Sequence, residues 1–157
     1  MDAIIKDEYW MQYALALAQW AEIKGEVPVG SVLILNNTKI AQGWNSSINQ
    51  NDPTAHAEII ALRKGGKFIN NYRLLNTTLY VTLEPCLMCL GAILNSRVER
   101  LVYGAQDTKD QKLKFWGNII KKKRLKVKQK VLNKECTELI QSFFQRKRMF
   151  PNSVHKV

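Results

Sequence analysis

The chain has 157 residues, 46% of them hydrophobic and 9% aromatic, which excludes a disordered or collagen-like polymer and fits one globular domain. No apolar run reaches the roughly 20 residues that span a bilayer, and the N-terminus MDAIIKDEYW carries acids where a secretion signal would carry bases. The formal net charge of +11 is concentrated between residues 109 and 134, where eleven bases face the single acid Asp110, and a surface of that kind attracts polyanions.

In chain order, residues 7 to 24 place Tyr9, Tyr13, Leu17 and Trp20 at helical spacing and stop at Gly25. VGSVLILNN reads as a buried strand whose Asn36-Asn37 turn leads into KIAQGWN as its hairpin partner. SSINQNDPT, residues 46 to 54, is a loop; a helix then runs from about His56 to Gly65-Gly66. TLYVTL (78 to 83) is a strand, and Pro85 opens a helix through CLMCLGAILNS. ERLVYGA is the next strand, and LKVKQKV is an edge strand with lysines on its exposed face. A closing helix spans about Lys134 to Met149. The alternation predicts one α/β layered domain, with the hairpin making its sheet mixed. Its core runs from about residue 7 to 149, and residues 150 to 157 form a frayed tail.

One of the two histidines, His56, stands two residues before Glu58 at the start of an apolar helix. On a regular helix the two side chains would point roughly 200° apart, so they converge only on something beyond its N-terminal end. Cys86 and Cys89, three apart at the start of another helix, share one face, where the helix dipole favours thiolate. If the two helix starts meet, three N/S ligands face one point, as in a catalytic zinc site with a position left for water. Glu58 would then be the proton-handling group.

Other readings compete. A lone CxxC is also a redox pair, but that leaves His56 and Glu58 without a role. A structural zinc needs a fourth ligand, for which Cys136 on the closing helix and His155 in the tail are poor candidates. Glu84 is a rival base; lying before Pro85, it is pushed towards extended geometry and reads better as a structural acid. The cytosol is the natural home of three cysteines that cannot all pair.

HAE at 56 to 58 with PCLMC at 85 to 89 matches the H-x-E and P-C-x-x-C signature of zinc nucleobase deaminases. With EYWMQYAL, EVPVG, GWN, NDPTAHAEI, NYRL, TLYVTLEPC, LVYGA and SFF, the chain resembles the bacterial tRNA-specific adenosine deaminases. The resemblance covers residues 8 to about 108 and resumes near Glu135. It implies a three-layer α/β/α, cytidine-deaminase-like fold with a mixed five-stranded sheet, and a cytoplasmic homodimer. It also implies one zinc per chain on His56, Cys86 and Cys89, with Glu58 as proton shuttle. The implied substrate is the wobble adenosine in the anticodon stem-loop of an arginine tRNA, converted to inosine.

By position, the resemblance gives Asn45 and the Ala57 backbone N–H to the flipped-out nucleoside, and Asp107 and Phe144 to the RNA loop. Phe143 and Phe144 also read as core of the closing helix. The basic trio Arg146, Lys147 and Arg148 is a candidate for RNA backbone contacts. KDQKLKFWG, from Lys109 to Gly117, departs from the small-residue stretch of the family, which bears on RNA contacts and the dimer edge. A nucleoside or free-base deaminase on the same fold is the nearest alternative, and a basic RNA-binding module with a structural zinc is the other. The first has no use for the basic stretch, nor the second for Glu58.

Overall fold

The computed structural model describes residues 2–107 and 112–151, with backbone alone at 112–115. Lys109 and His155 lie outside the described residues. Five strands form one sheet in the order β2-β1-β3-β4-β5. They are β1 (Gly30–Leu35), β2 (Thr38–Trp44), β3 (Thr77–Leu83), β4 (Arg100–Ala105) and β5 (Lys126–Lys128). β1 runs antiparallel to both β2 and β3, whereas β3, β4 and β5 are mutually parallel. Asn36 and Asn37 take φ of 49° and 59°, the double left-handed turn that matches strand twist in a two-residue hairpin.

Alternate residues of the central strands feed two cores. Leu33, Leu79, Val81, Leu101 and Tyr103 point to one face, with Ala61, Leu62, Leu90 and Ile93 of helices α2 (Ala57–Ile69) and α3 (Leu87–Asn95). Val32, Ile34, Tyr80 and Val102 point to the other, against Trp10, Met11 and Ala14 of α1 (Ala3–Ile23) and Cys136 of α5 (Asn133–Met149). A sheet buried on both faces needs strands apolar at every position, which is why these segments read as continuous runs. The result is the expected three-layer α/β/α arrangement.

Four expectations need correction. α1 begins at Ala3, capped by the Asp2 side chain accepting from Ile4 N, and it buries a different face. Tyr9, Tyr13 and Trp20 are 43%, 41% and 43% exposed, while Asp7, Trp10, Met11, Ala14, Ala18 and Ala21 are buried. Small alanines face β1 because the helix lies too close to the sheet for larger side chains, and the aromatics stack edge-on along its flank.

α2 continues through Gly65-Gly66 to Ile69 and ends at Asn70, whose φ of 54° supplies the left-handed stop. Gly65 is a packing residue; a Cβ there would collide with the Leu33 side chain. An additional helix, α4 (Lys112–Lys122), occupies much of the lysine-rich departure and buries Ile120. β5 is the edge strand, but its lysines do not simply face solvent: Lys128 Nζ reaches Asp7 Oδ2 at 2.6 Å, and Lys126 pairs with Glu99.

Candidate metal centre and active site

Two helix starts meet at the C-terminal end of β3. His56 is the N-cap of α2, with extended backbone (φ −76°, ψ 155°), and its carbonyl accepts the first helical bond from Ile60 N. Cys86 is the N-cap of α3 (φ −68°, ψ 172°), and its carbonyl accepts from Leu90 N. Pro85 therefore precedes the cap instead of entering the first turn. An N-cap side chain usually bonds a free amide of its own helix. Neither His56 nor Cys86 does so, and both turn towards each other.

His56 Nδ1 lies 3.5 Å from Cys86 Sγ and 3.5 Å from Cys89 Sγ, and the three ligand atoms all fall within 4.8 Å of one another. Tetrahedral zinc with bonds of about 2.3 Å to sulfur and about 2.0–2.1 Å to nitrogen has an S···N edge of roughly 3.5 Å. Both S···N edges thus match that ion. Among the described residues no fourth ligand joins it. Cys136, the rejected structural ligand, is buried beneath Gly104, where burial pushes its thiol up to about 12.

Electrostatics follow from the contacts. The hydrogen bond with Cys89, with a further contribution from His56, lowers Cys86 to about 3. The same Cys86 contact, together with burial, pushes Cys89 up. His56 is raised, first by its bond to Cys86.

Glu58 sits in the first turn of α2, 3% exposed, with its carboxyl against the Cys89 thiol. Burial raises its pKa. Glu84 is buried as well, but it is tied into the sheet end: its Oε2 accepts from Asp107 N at 2.9 Å, and its own N–H donates to Ala105 O.

The nucleoside-facing candidates are linked to one another. Asn45 follows β2, and its Oδ1 accepts from Ala57 N at 2.8 Å. A base edge would reach that amide only by displacing Asn45. Beyond the ends of β3 and β4 opens a cleft of about 780 Å³ lined by Asp107, Ile140, Gln141, Phe144, Gln145 and Arg148 among others. Phe143 is core at 7% exposed, whereas Phe144 lies on the cleft wall at 40%. The basic trio does not act as one face. Arg148 lines the cleft, while Arg146 pairs with Glu22 of α1. Successive residues turn about 100° around a helix, which separates them.

Sequence reasoning passes over two loop acids. Asp52 caps Thr54, and Glu26 accepts from the backbone of residues 48 and 49. Asp52 also takes the Thr54 hydroxyl and pairs with Arg63.

Among the described residues no helix is long and apolar enough to cross a membrane. Residues 4–105 match the family model for the cytidine and deoxycytidylate deaminase zinc-binding region. The chain is 56% identical over 146 residues to a tRNA-specific adenosine deaminase of Buchnera aphidicola, covering 90% of each protein. It is 54% identical over 147 residues to one from Haemophilus influenzae, covering 90% of this chain and 85% of that protein. A solved structure from studies of A-to-I editing by tRNA:A34 deaminases at the wobble position superposes with a TM-score of 0.78 at 38% identity, covering 83% of this chain and 98% of that one. With that ligand triangle, the matches place the chain: it is a zinc-dependent deaminase belonging to the cytidine and deoxycytidylate deaminase family and, within it, to the tRNA-specific adenosine deaminases.

Proposed function

We propose that this enzyme hydrolyses the wobble adenosine in the anticodon of an arginine tRNA to inosine, with release of ammonia. The observation that carries the reading is the buried carboxyl of Glu58 set against a site where three zinc ligands meet and, among the described residues, no fourth joins them. His56 Nδ1, Cys86 Sγ and Cys89 Sγ hold the ion, one per chain. Bound there, zinc supplies Lewis acidity that makes a hydroxide nucleophile available at neutral pH.

The remaining work belongs to the protein. Glu58 takes the proton from the attacking water and passes it to the adenine ring nitrogen N1. It then takes the second water proton from the new hydroxyl on C6 and delivers it to the departing amine as the C6–N bond breaks. The water oxygen stays on the base and nitrogen departs as ammonia, so the protons balance. Asn45, fixed through its Oδ1 to Ala57 N, presents its amide N–H groups to the nucleoside. An anticodon loop offers its base already unpaired, which makes flipping inexpensive. Asp107, Phe144 and Arg148, which line the cleft beyond the ends of β3 and β4, then meet the flanking nucleotides. We further infer a cytoplasmic homodimer, as the family resemblance implies.

Incubating the purified protein with an arginine tRNA transcript, free adenosine and free cytidine tests the reading. Inosine in the anticodon of the transcript alone is the expected result. Inosine from free adenosine or uridine from free cytidine, with the tRNA untouched, would establish the nucleoside deaminase instead.

A further inference from the structure

The loop that connects Asn45 to His56 joins the nucleoside-facing side chain to the first metal ligand, and it is held from outside the site. Within itself it is short-braced: Ser46 N donates to Ala55 O at 2.9 Å, Asp52 N to Ser47 O at 3.0 Å, and Thr54 N to Asp52 Oδ1 at 2.8 Å. Its middle, at Ile48 and Asn49, has another anchor. Glu26 Oε1 accepts from Asn49 N at 2.7 Å and from Asn49 Nδ2 at 2.8 Å, and Oε2 accepts from Ile48 N at 3.3 Å.

Glu26 is 2% exposed, and its partners among the described residues are N–H groups of this loop. A carboxylate in such a place is held by oriented amides instead of a cation.

The pedestal beneath it is rigid for a stated reason. Gly25, at φ 80°, ends α1; Gly25 N donates to Glu22 O and Glu26 N to Ala21 O, both at 2.9 Å. That is the double bond pattern of a Schellman stop, with Glu26 at its last position. α1 is itself seated on the sheet by buried Met11, Ala14, Ala18 and Ala21. The carboxylate therefore presents a fixed acceptor pair to an otherwise exposed turn, in which Asn49 and Gln50 face solvent.

We propose that Glu26 is a positioning residue of the active site, which by gripping Ile48 and Asn49 keeps Asn45 and His56 in register with the cysteine pair of α3. It touches neither metal nor nucleoside; it acts through the loop. The inference rests on the deaminase reading for its kinetic part, while its metal part stands alone.

The test compares Glu26→Ala, Glu26→Gln and Asn49→Ala with the unaltered enzyme. Two readouts are used: zinc release to a colorimetric chelator, and steady-state deamination of the tRNA transcript at saturating zinc. In Glu26→Ala all three bonds go. Zinc should leave several-fold faster, and kcat should fall by about 10²-fold, the scale of an ångström of misplacement. KM should stay within about twofold, because the RNA is gripped elsewhere. Glu26→Gln keeps an oxygen for Asn49 and should recover most of kcat. Asn49→Ala removes the two side-chain bonds of an exposed residue, to Glu26 Oε1 and to Lys24 O, while leaving the backbone bonds to Glu26, and should give a smaller loss of the same kind.

Zinc release and kcat both unchanged in Glu26→Ala would overturn the proposal. So would a raised KM at unchanged kcat, since the loop would then be touching RNA directly. If Glu26→Ala fails to fold, Asn49→Ala decides: kinetics and zinc release identical to the unaltered enzyme would refute the role. Should the unaltered enzyme deaminate no tRNA, the functional reading fails, and the zinc-release comparison still judges Glu26.

Discussion

Glu58 and Glu84 are both buried acids close to the cysteine pair, and their surroundings give them different work. Glu58 lies against Cys89 with its carboxyl among the ligands, whereas Glu84 accepts the Asp107 backbone amide where β4 ends. Glu58→Gln should keep full zinc yet lose about 10²–10⁴-fold in turnover, the usual size of general acid–base catalysis. Glu84→Gln should keep zinc and most activity, at a cost in stability on the order of 1–3 kcal/mol for the disturbed buried acceptor. Cys86→Ala should lose metal and activity together, while Cys136→Ala should retain its metal. Metal content measured beside turnover separates the metal ligand, the proton-handling acid and the two structural residues; an active Glu58→Gln with an inactive Glu84→Gln would reverse the assignment.

Among the elements, α5 departs most from a plain reading. Its last turn carries Arg146, Lys147 and Arg148, yet the charges diverge: Arg146 is spent on Glu22 and Arg148 enters the cleft. Arg148→Ala should therefore weaken tRNA binding and reduce the slope of log affinity against log salt by roughly 0.7–0.9, one phosphate's share. Arg146→Ala should leave that slope nearly unchanged. Binding measured from low to moderate salt checks both, and equal slopes for the two variants would sink the distinction.

The elements also show what the sequence could and could not convey. His56, Glu58, Cys86 and Cys89 were readable because their spacing is local and their chemistry unusual for helix starts. α4 was hidden because lysines at 112, 114, 121 and 122 break the apolar period around Trp116 and Ile120. The buried side of α1 misled because its aromatic repeat outweighs alanines whose selection depends on closeness to the sheet. The Glu26–Asn49 contact spans 23 positions, beyond the reach of any periodicity.

At the scale of the molecule, one ionic cluster ties the N-terminal helix to three strands. Asp7, 2% exposed, takes two bonds from Arg100 of β4 at 2.7 and 2.8 Å, one from Lys128 of β5 at 2.6 Å and one from Tyr80 of β3 at 2.8 Å. Burial opposes its ionisation, but the bonds from Arg100, Lys128 and Tyr80 prevail and hold the carboxyl well below the usual range. A folded-state pKa below the unfolded value of about 3.9 means the cluster stabilises fully above that value and is withdrawn as pH falls through it. Asp7→Asn should cost on the order of 3 kcal/mol at pH 7. The gap in Tm between the two proteins should narrow below about pH 4. A pH-independent gap in thermal melts would contradict the electrostatic account.

The two helix starts at the metal have a consequence for the life of the protein before it is loaded. Neither His56 nor Cys86 caps its helix with a side-chain bond, so each opening turn forgoes the support that an ordinary cap would provide. A single ion bridging them fastens both turns at once, and the binding energy of the ion becomes folding energy at two places in the chain. A newly made chain short of zinc would lack that fastening at both turns, and loading it would tighten the scaffold as it arms the chemistry. Supply of the ion would thereby govern how much of this protein survives as well as how much of it works.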